Sequence, residues 1–334
     1  DIGARHALIE AFIDGAQQRL TQLEQRWSRF LPTSEISALN RAERDAAYAA
    51  DMAMIRAFFA SRGRNVSVPG LSPEAAGIVN PVNPFLESHQ IEEILEAAET
   101  KVLVTIGPMP GTDVWEKVQQ VRGKLKHLKA IVVVHGPADP ANGVYAFNDL
   151  IKEQPSDRLV SGRQISSDEI AAYFHTGGTT GTPKLVRHTH GNQVYQAWAV
   201  NLMLKAKAGA NLLFGMPLFH VGGSLTQALA CLTAGGCLVV LSPAGWRNPS
   251  AVKNIWSLID RFKVEALASV PTVLAAALAI PPGNADLSSL KLASGGGSAI
   301  PVAVGTTIQE KLKLPVLEVY GMTETSSVHT ISYP

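Results

Sequence analysis

The sequence predicts an α/β fold in which parallel-rich sheets are flanked by helices. From about residue 71, short β-branched runs alternate with segments of helical periodicity. Strands that are separated by helices form a largely parallel sheet with helices on both faces. Hydrophobic residues make up 46% and charged residues 17% of the 334 residues, a composition typical of a globular chain with a sizeable core.

Each predicted strand is a short run of mostly apolar residues, and each predicted helix is a longer segment whose apolar residues recur every three or four positions. The strands are Lys101–Ile106, Ala130–Val134, Ala210–Phe214, Cys237–Leu241, Leu290–Ala293 and Val316–Val319. The helices are Ile91–Ala98, Val114–Leu125, Gly191–Leu204, Ser224–Ala230, Val252–Phe262 and Val302–Lys311. Because ligands bind beyond the carboxyl ends of parallel strands, we expect the functional loops to follow strands.

Charge and apolar runs argue against several classes of protein. A net charge of +1 disfavours a nucleic-acid partner. The longest apolar run, Val264–Ile280, contains Glu265 and Pro271, which disfavours a transmembrane segment. Cys231 and Cys237 lie in one apolar stretch without acidic or His neighbours, so we interpret them as small core residues. We expect a cytoplasmic enzyme; peripheral membrane association and a homo-oligomer remain open.

The most informative segment is Tyr-Phe-His-Thr-Gly-Gly-Thr-Thr-Gly-Thr-Pro-Lys, residues 173–184. Its glycines let backbone N–H groups turn towards an anion, and its hydroxyls and Lys184 add donors and charge. A helical segment near Gly191 follows, and helix N-termini commonly bind phosphate. A flexible surface loop is the alternative. The phosphate-binding candidates are Thr176, Gly177, Gly178, Thr179, Thr180, Gly181, Thr182 and Lys184.

This loop resembles the signature of adenylate-forming enzymes, [ST]-S-G-[ST]-T-G-x-P-K-G, with Gly177 where Ser is common and Leu185 where Gly is common. Gly177 removes one hydroxyl donor. Three further segments resemble acyl-CoA synthetases of this superfamily and occur in the same order: Met-Pro-Leu-Phe-His-Val-Gly-Gly at 216–223, Ala-Ser-Gly-Gly-Gly-Ser-Ala-Ile-Pro at 293–301 and Val-Tyr-Gly-Met-Thr-Glu-Thr at 319–325. Upstream, Pro-Val-Asn-Pro at 81–84 resembles the family's structural PxNP turn.

The resemblance implies roles for single residues. His220 would lie beside the acyl pocket and the nucleotide as a positioning or gating residue. Tyr320 would stack on adenine, Thr323 would bind the α-phosphate and Glu324 would ligate Mg²⁺. From the residues alone, His220 could equally be a core histidine and Glu324 a surface acid. The catalytic candidates are Lys184, His220, Thr323 and Glu324; the other nucleotide-binding candidates are Gly295, Gly296, Gly297, Tyr320 and Gly321.

The implied reaction is the ATP-dependent activation of a carboxylic acid, above all a fatty acid. The carboxylate attacks the α-phosphorus of MgATP and pyrophosphate leaves. The CoA thiolate then attacks the acyl carbon of the acyl-adenylate, and AMP leaves. ATP, Mg²⁺ and CoA are therefore the expected cofactors and co-substrates. Transfer to a carrier-protein thiol or to oxygen is the nearest alternative, which Pro-Leu-Phe-His-Val-Gly-Gly disfavours. The second alternative is a non-catalytic protein that binds a nucleotide or acts as a scaffold.

The resemblance covers residues 68–334, the large N-terminal domain of the acyl-CoA synthetase fold. Residues 1–67 are predicted as a helical N-terminal segment of uncertain origin that does not resemble the start of an acyl-CoA synthetase. Within it, residues 26–41 resemble enzymes that transfer FMN to proteins, without that family's downstream motifs. Family members continue past YGxTE to a ribose-binding aspartate, a hinge and a small domain with a catalytic lysine. We interpret 68–334 as an AMP-binding domain that is incomplete at its C-terminus, and expect the chain alone to be poorly active.

Overall fold

A computed structural model describes residues 78–152, 166–176 and 183–332. The predicted helical segment at 1–67 and the loop candidates Gly177, Gly178, Thr179, Thr180, Gly181 and Thr182 lie outside the described residues. None of the helices in the three described stretches is both long and apolar enough to cross a bilayer.

The helices and strands are numbered in chain order. The strands are β1 (Val102–Ile106), β2 (Ala130–Val134), β3 (Val144–Ala146), β4 (Ile170–Thr176), β5 (Lys184–Thr189), β6 (Asn211–Phe214), β7 (Cys237–Val240), β8 (Val264–Ser269), β9 (Leu292–Gly296), β10 (Val316–Met322) and β11 (Ser327–Ile331). The α-helices are α1 (Ser88–Ala97), α2 (Val114–Val121), α3 (Phe147–Lys152), α4 (His190–Leu204), α5 (Ala230–Thr233), α6 (Pro249–Lys253), α7 (Ile255–Phe262), α8 (Pro271–Leu278) and α9 (Val302–Thr307). Two π-helices (Gly222–Leu229 and Ile308–Leu312) and three 3₁₀ turns (Pro140–Asn142, Gly245–Arg247 and Thr323–Thr325) complete the elements of the described residues.

The strands of the described residues form three sheets. The largest has the order β11-β10-β9-β8-β6-β7, and its neighbouring strands are parallel except for β10 and β11. A second sheet, β1-β2-β3, is entirely parallel. The third is the antiparallel hairpin β4–β5. The predicted class, parallel-rich sheets flanked by helices, is confirmed.

Two hydrophobic clusters hold the layers around the large sheet. In the first, Ile255 and Ile259 of α7 and Leu274 of α8 pack with buried residues of β8 and β9. In the second, α4 and the π-helix Gly222–Leu229 pack on β4 and β11, with Phe174 and Leu225 almost fully buried. Burial of such side chains contributes about 1.5–3 kcal/mol each, so helices are held on both the large sheet and the hairpin.

Several predicted elements differ from the observed ones. The helix predicted over Val252–Phe262 is two helices, because Asn254 ends α6 by donating from its amide to the carbonyl of Ser250 at 2.8 Å. The apolar run Val264–Ile280 is strand β8 followed by helix α8. Pro271 is the first residue of α8, a position at which a backbone N–H has no acceptor within the helix, so proline can stand there without loss of a hydrogen bond.

The prediction that both cysteines are core residues was wrong for Cys237, which is exposed at the start of the edge strand β7. Cys231 is only partly buried, and loss of water around its thiol raises its pKa to about 12. Both are free thiols. An apolar sequence context could not distinguish an edge strand from a central one, because both are rich in β-branched residues.

Candidate active site

The predicted phosphate loop is bounded by a β-hairpin. Strands β4 and β5 pair with Thr176 opposite Lys184, so the two ends of the loop lie side by side. The helix predicted over Gly191–Leu204 is confirmed as α4, and strand β5 lies between it and the loop. Thr176 is half-buried and Lys184 is exposed. The charge of the lysine is therefore exposed at the loop end of the hairpin.

A buried histidine ties this hairpin to the turn that follows β10. His188 of β5 is 1% exposed, and its Nε2–H donates to the carbonyl oxygen of Thr323 at 2.7 Å. Its ring also packs against Phe174, with ring centroids 5.0 Å apart. A buried polar hydrogen bond of this kind is costly to break. The sequence did not identify His188 as a site residue. It lies in a segment of mixed polarity, and no local pattern points to its hydrogen-bond partner, the carbonyl oxygen of Thr323.

The Tyr-Gly-Met-Thr-Glu segment ends β10 and turns into β11. The register between these strands shifts between Tyr320 and Gly321. At Gly321 the chains approach so closely that a Cβ atom would lie 1.8 Å from the carbonyl oxygen of Ser327. This glycine is therefore required by packing, and the close approach sets the direction of the Thr323–Thr325 turn, on which Glu324 is exposed.

Tyr320 is 57% exposed and lies edge-to-face with His329, with ring centroids 6.3 Å apart. Because more than half of its surface is exposed, the Tyr320 ring is available for stacking. The three predicted glycines lie at the neighbouring strand end. Gly295 and Gly296 are the last residues of β9 rather than a loop after it, and Gly297 follows with φ of 85°, a left-handed value that favours glycine.

These segments meet at one cavity of about 1800 Å³. It lies between the large sheet and the layer formed by α4 and the π-helix Gly222–Leu229. The predicted site residues in its wall are Thr176, His220, Gly295, Gly296, Gly297, Gly321, Thr323 and Glu324. Lys184 and Tyr320 are exposed beside it, outside the lining residues. Pockets for a single small ligand typically measure about 300–1000 Å³, so this cavity has room for a nucleotide and an acyl group together.

Apolar side chains form most of the remaining wall. They come from β6, the segment after it, β7 and β8, and include Leu212, Phe214, Leu218, Phe219, Val240 and Ala268. Because these strands are parallel, their side chains form a continuous surface along the sheet. The cavity thus combines a polar end, at the glycines and the Thr323 turn, with an apolar groove suited to a hydrocarbon group.

Two histidines lie in the cavity wall between these ends. Burial lowers the pKa of His175, and the nearby His220 lowers it further. Loss of water also lowers the pKa of His220, although this residue keeps an exposed surface. Both imidazoles are therefore neutral at pH 7. His220 Nδ1 accepts the backbone N–H of Gly222 at 3.1 Å, which fixes its ring beside the start of the π-helix.

Glu324 supplies the donor chemistry that Mg²⁺ prefers. It is an exposed carboxylate on a turn at the polar end of the cavity. Mg²⁺ usually binds one or two protein carboxylates and completes its octahedron with water and substrate phosphate oxygens. A single glutamate that follows Thr323 in the cavity wall fits that pattern, and the ion would neutralise phosphate charge there.

The geometry agrees with the comparisons with known proteins. A family model described as AMP-binding enzyme matches residues 72–334. The chain is 33% identical to marinolic acid–CoA ligase of Pseudoalteromonas sp. over 78% of this chain and 40% of that protein. It is 28% identical to a long-chain-fatty-acid–CoA ligase of Bacillus subtilis over 76% of this chain and 48% of that protein.

A solved structure of the anthranilate CoA ligase AuaEII in complex with anthranoyl-AMP superposes with a TM-score of 0.68 and 27% identity, covering 78% of this chain and 48% of that one. The chain spans about half the length, or less, of the relatives it matches. The match over most of its residues, together with the four ordered motifs around one cavity, shows that the chain belongs to the AMP-binding enzyme family, within the adenylate-forming superfamily.

Proposed function

We propose that the protein is an acyl-CoA synthetase, and that residues 68–334 form its AMP-binding domain. It uses ATP to convert a carboxylic acid into an acyl-adenylate with release of pyrophosphate, and then transfers the acyl group to CoA with release of AMP. The observation that carries this proposal is the single cavity lined by Thr176, Gly295 to Gly297, Thr323 and Glu324 beside an apolar groove. The relatives named above are acid–CoA ligases, which supports the choice of CoA as acceptor.

The chemistry assigns a role to each end of the cavity. The reaction concentrates negative charge at the α-phosphate, so donors around it stabilise the transition state. We propose that the loop from Thr176 to Lys184 binds the triphosphate, that Thr323 binds the α-phosphate and that Glu324 ligates Mg²⁺. Bound Mg²⁺ would polarise the phosphate oxygens. We assign adenine to Tyr320, Gly321 and the Gly295–Gly297 edge.

The acid is proposed to lie in the apolar groove, with its carboxylate towards Thr323 and its chain along the sheet. The size and lining of the groove favour a fatty acid over a small polar acid. The ligase relatives act on different acids, namely marinolic acid, long-chain fatty acids and anthranilate. His220 stands where the groove meets the polar end, and we assign it to positioning of the carboxylate. We expect the enzyme to act in the cytoplasm.

The test is a screen of carboxylic acids for ATP-dependent pyrophosphate release by the full-length protein with Mg²⁺. The panel contains saturated fatty acids of several lengths, anthranilate and other aromatic acids. Acid-dependent pyrophosphate release that requires Mg²⁺, followed by thioester formation with CoA, supports the proposal. Acyl-AMP formation without a CoA thioester would instead favour a carrier-protein acceptor. Calorimetric binding of ATP without acyl-AMP from any acid would indicate a nucleotide-binding protein without ligase activity.

A further inference from the structure

A hydrogen bond links the Pro-Val-Asn-Pro turn to the start of the phosphate loop. The backbone N–H of Asn83 donates to Nε2 of His175 at 3.1 Å, across 92 positions of sequence. His175 is the residue directly before Thr176, the last residue of β4. Farther from the loop, Val79 forms a parallel bridge with Ala172. The turn is thus attached along β4 up to the point where the loop begins.

The donor in this bond fixes the chemical form of the histidine. A backbone N–H can only donate, so Nε2 of His175 must be the unprotonated, accepting nitrogen. The ring is therefore neutral and carries its proton on Nδ1. In His220 the arrangement is reversed, because Nδ1 accepts from Gly222 and the proton lies on Nε2. The cavity wall holds two neutral imidazoles of opposite tautomer, each fixed by a main-chain donor.

We propose that His175 is a nucleotide-positioning residue. In its neutral Nδ1–H tautomer it accepts the backbone N–H of Asn83 at Nε2, and this hydrogen bond, called the latch below, holds the start of the phosphate loop against the Pro-Val-Asn-Pro turn. This inference rests on the proposed function, since it assigns the loop to ATP. The latch acts from one side of the loop. On the other side, His188 holds β5 to Thr323. Together the two histidines fix both strands of the hairpin relative to the rest of the cavity.

Protonation of His175 opens the latch, because an imidazolium has no acceptor at Nε2. Several charged or titratable groups lie on the elements around it: Lys184 and His188 on β5, His220 after β6 and Glu324 after β10. Burial and His220 both lower the pKa of His175 below its ordinary value of 6.5. The latch is therefore closed at neutral pH and opens only in acid.

The direct test observes the tautomer in the wild-type protein. Nitrogen-15 NMR of the imidazole side chains, with the His175 signal assigned by its loss in His175→Gln, reports which nitrogen carries the proton. The proposal expects a neutral ring with its proton on Nδ1 at pH 7. A proton on Nε2, or a charged ring at that pH, overturns it. This measurement needs neither turnover nor a variant that folds poorly.

The functional test compares two substitutions by calorimetric titration with MgATP in the full-length protein. His175→Gln can place its amide oxygen where Nε2 lies, whereas His175→Asn is one carbon shorter and cannot. We expect His175→Asn to weaken ATP binding about tenfold, near the value of one hydrogen bond, and His175→Gln to restore most of it. His127→Asn, at an exposed histidine outside the cavity, is the matched control and should bind as wild type.

The pH profile separates a latch from a merely structural side chain. Wild-type affinity for ATP should fall as the pH drops from 7.5 to 5.5, and that of His175→Gln should fall less, because glutamine does not titrate. Equal affinity of His175→Asn and wild type refutes the positioning role alone. Absence of ATP binding by the wild type refutes the positioning role together with the proposed function.

Discussion

Replacing Gly321 by alanine tests the close approach that shapes the Thr323–Thr325 turn. The new Cβ would lie 1.8 Å from the carbonyl oxygen of Ser327 and 2.9 Å from Cα of Val328, whereas ordinary contact begins at 3.4 Å. Both obstacles are backbone atoms, so no side chain can rotate away. The two strands must separate by about 1.6 Å, and overpacking of this kind costs about 1–3 kcal/mol.

Thermal unfolding followed by circular dichroism measures this cost. We expect Gly321→Ala to lower the Tm by about 2–10 °C and to weaken ATP binding, since the turn that carries Thr323 must move. Gly305→Ala is the matched control: the position lies in helix α9 with nothing within 4 Å of the added Cβ. It should raise stability slightly, by about 0.5–1 kcal/mol. A Gly321→Ala protein with unchanged Tm and unchanged ATP affinity would show that the close approach at Gly321 does not shape the turn.

Three other predictions concern charge and exposure. Lys184→Ala and Glu324→Gln should each lower acid-dependent ATP–pyrophosphate exchange by about 100-fold, the loss typical of one transition-state contact; unchanged exchange in both contradicts the assignments. Iodoacetamide at pH 8 should modify Cys237 and spare Cys231, whose thiol has a raised pKa, and equal labelling by mass spectrometry would argue against the described burial. The folded state lowers the pKa of His220, so the unfolded chain protonates this histidine more readily and the free energy of unfolding should fall as the pH drops below 6.5. The urea midpoints measured at pH 7.5 and at pH 5.5 should therefore differ less in His220→Gln than in the wild type. An identical difference in the two proteins would contradict this pH dependence.

Most of the α/β architecture could be predicted because its strands are short and buried. Runs such as residues 130–134 are apolar throughout, as central parallel strands require, and the observed β2 has the same bounds. Element ends were less accurate. The strand predicted at Val316–Val319 continues to Met322, since the glycine within it is held by pairing with β11 rather than ending the strand.

The candidate site was predictable at the level of segments and not of contacts. Glycine, hydroxyl and lysine residues at fixed spacing indicated the loop, and the acid of Thr-Glu-Thr indicated the turn. The bonds that hold these segments together connect positions 92 and 135 residues apart, and no local pattern identifies such partners. His175 and His188 lie on strands β4 and β5, which were not among the predicted strands, so their roles required the three-dimensional structure.

In the proposed site, the β4–β5 hairpin and the turn after β10 bind one nucleotide between them. Hydrogen–deuterium exchange of the full-length protein, with and without MgATP, tests this most directly, because both segments are followed in one experiment. We expect ATP to slow exchange in residues 170–189 and in residues 316–327 over the same concentration range. Protection of one segment at saturating ATP, with unchanged exchange in the other, would contradict the shared site.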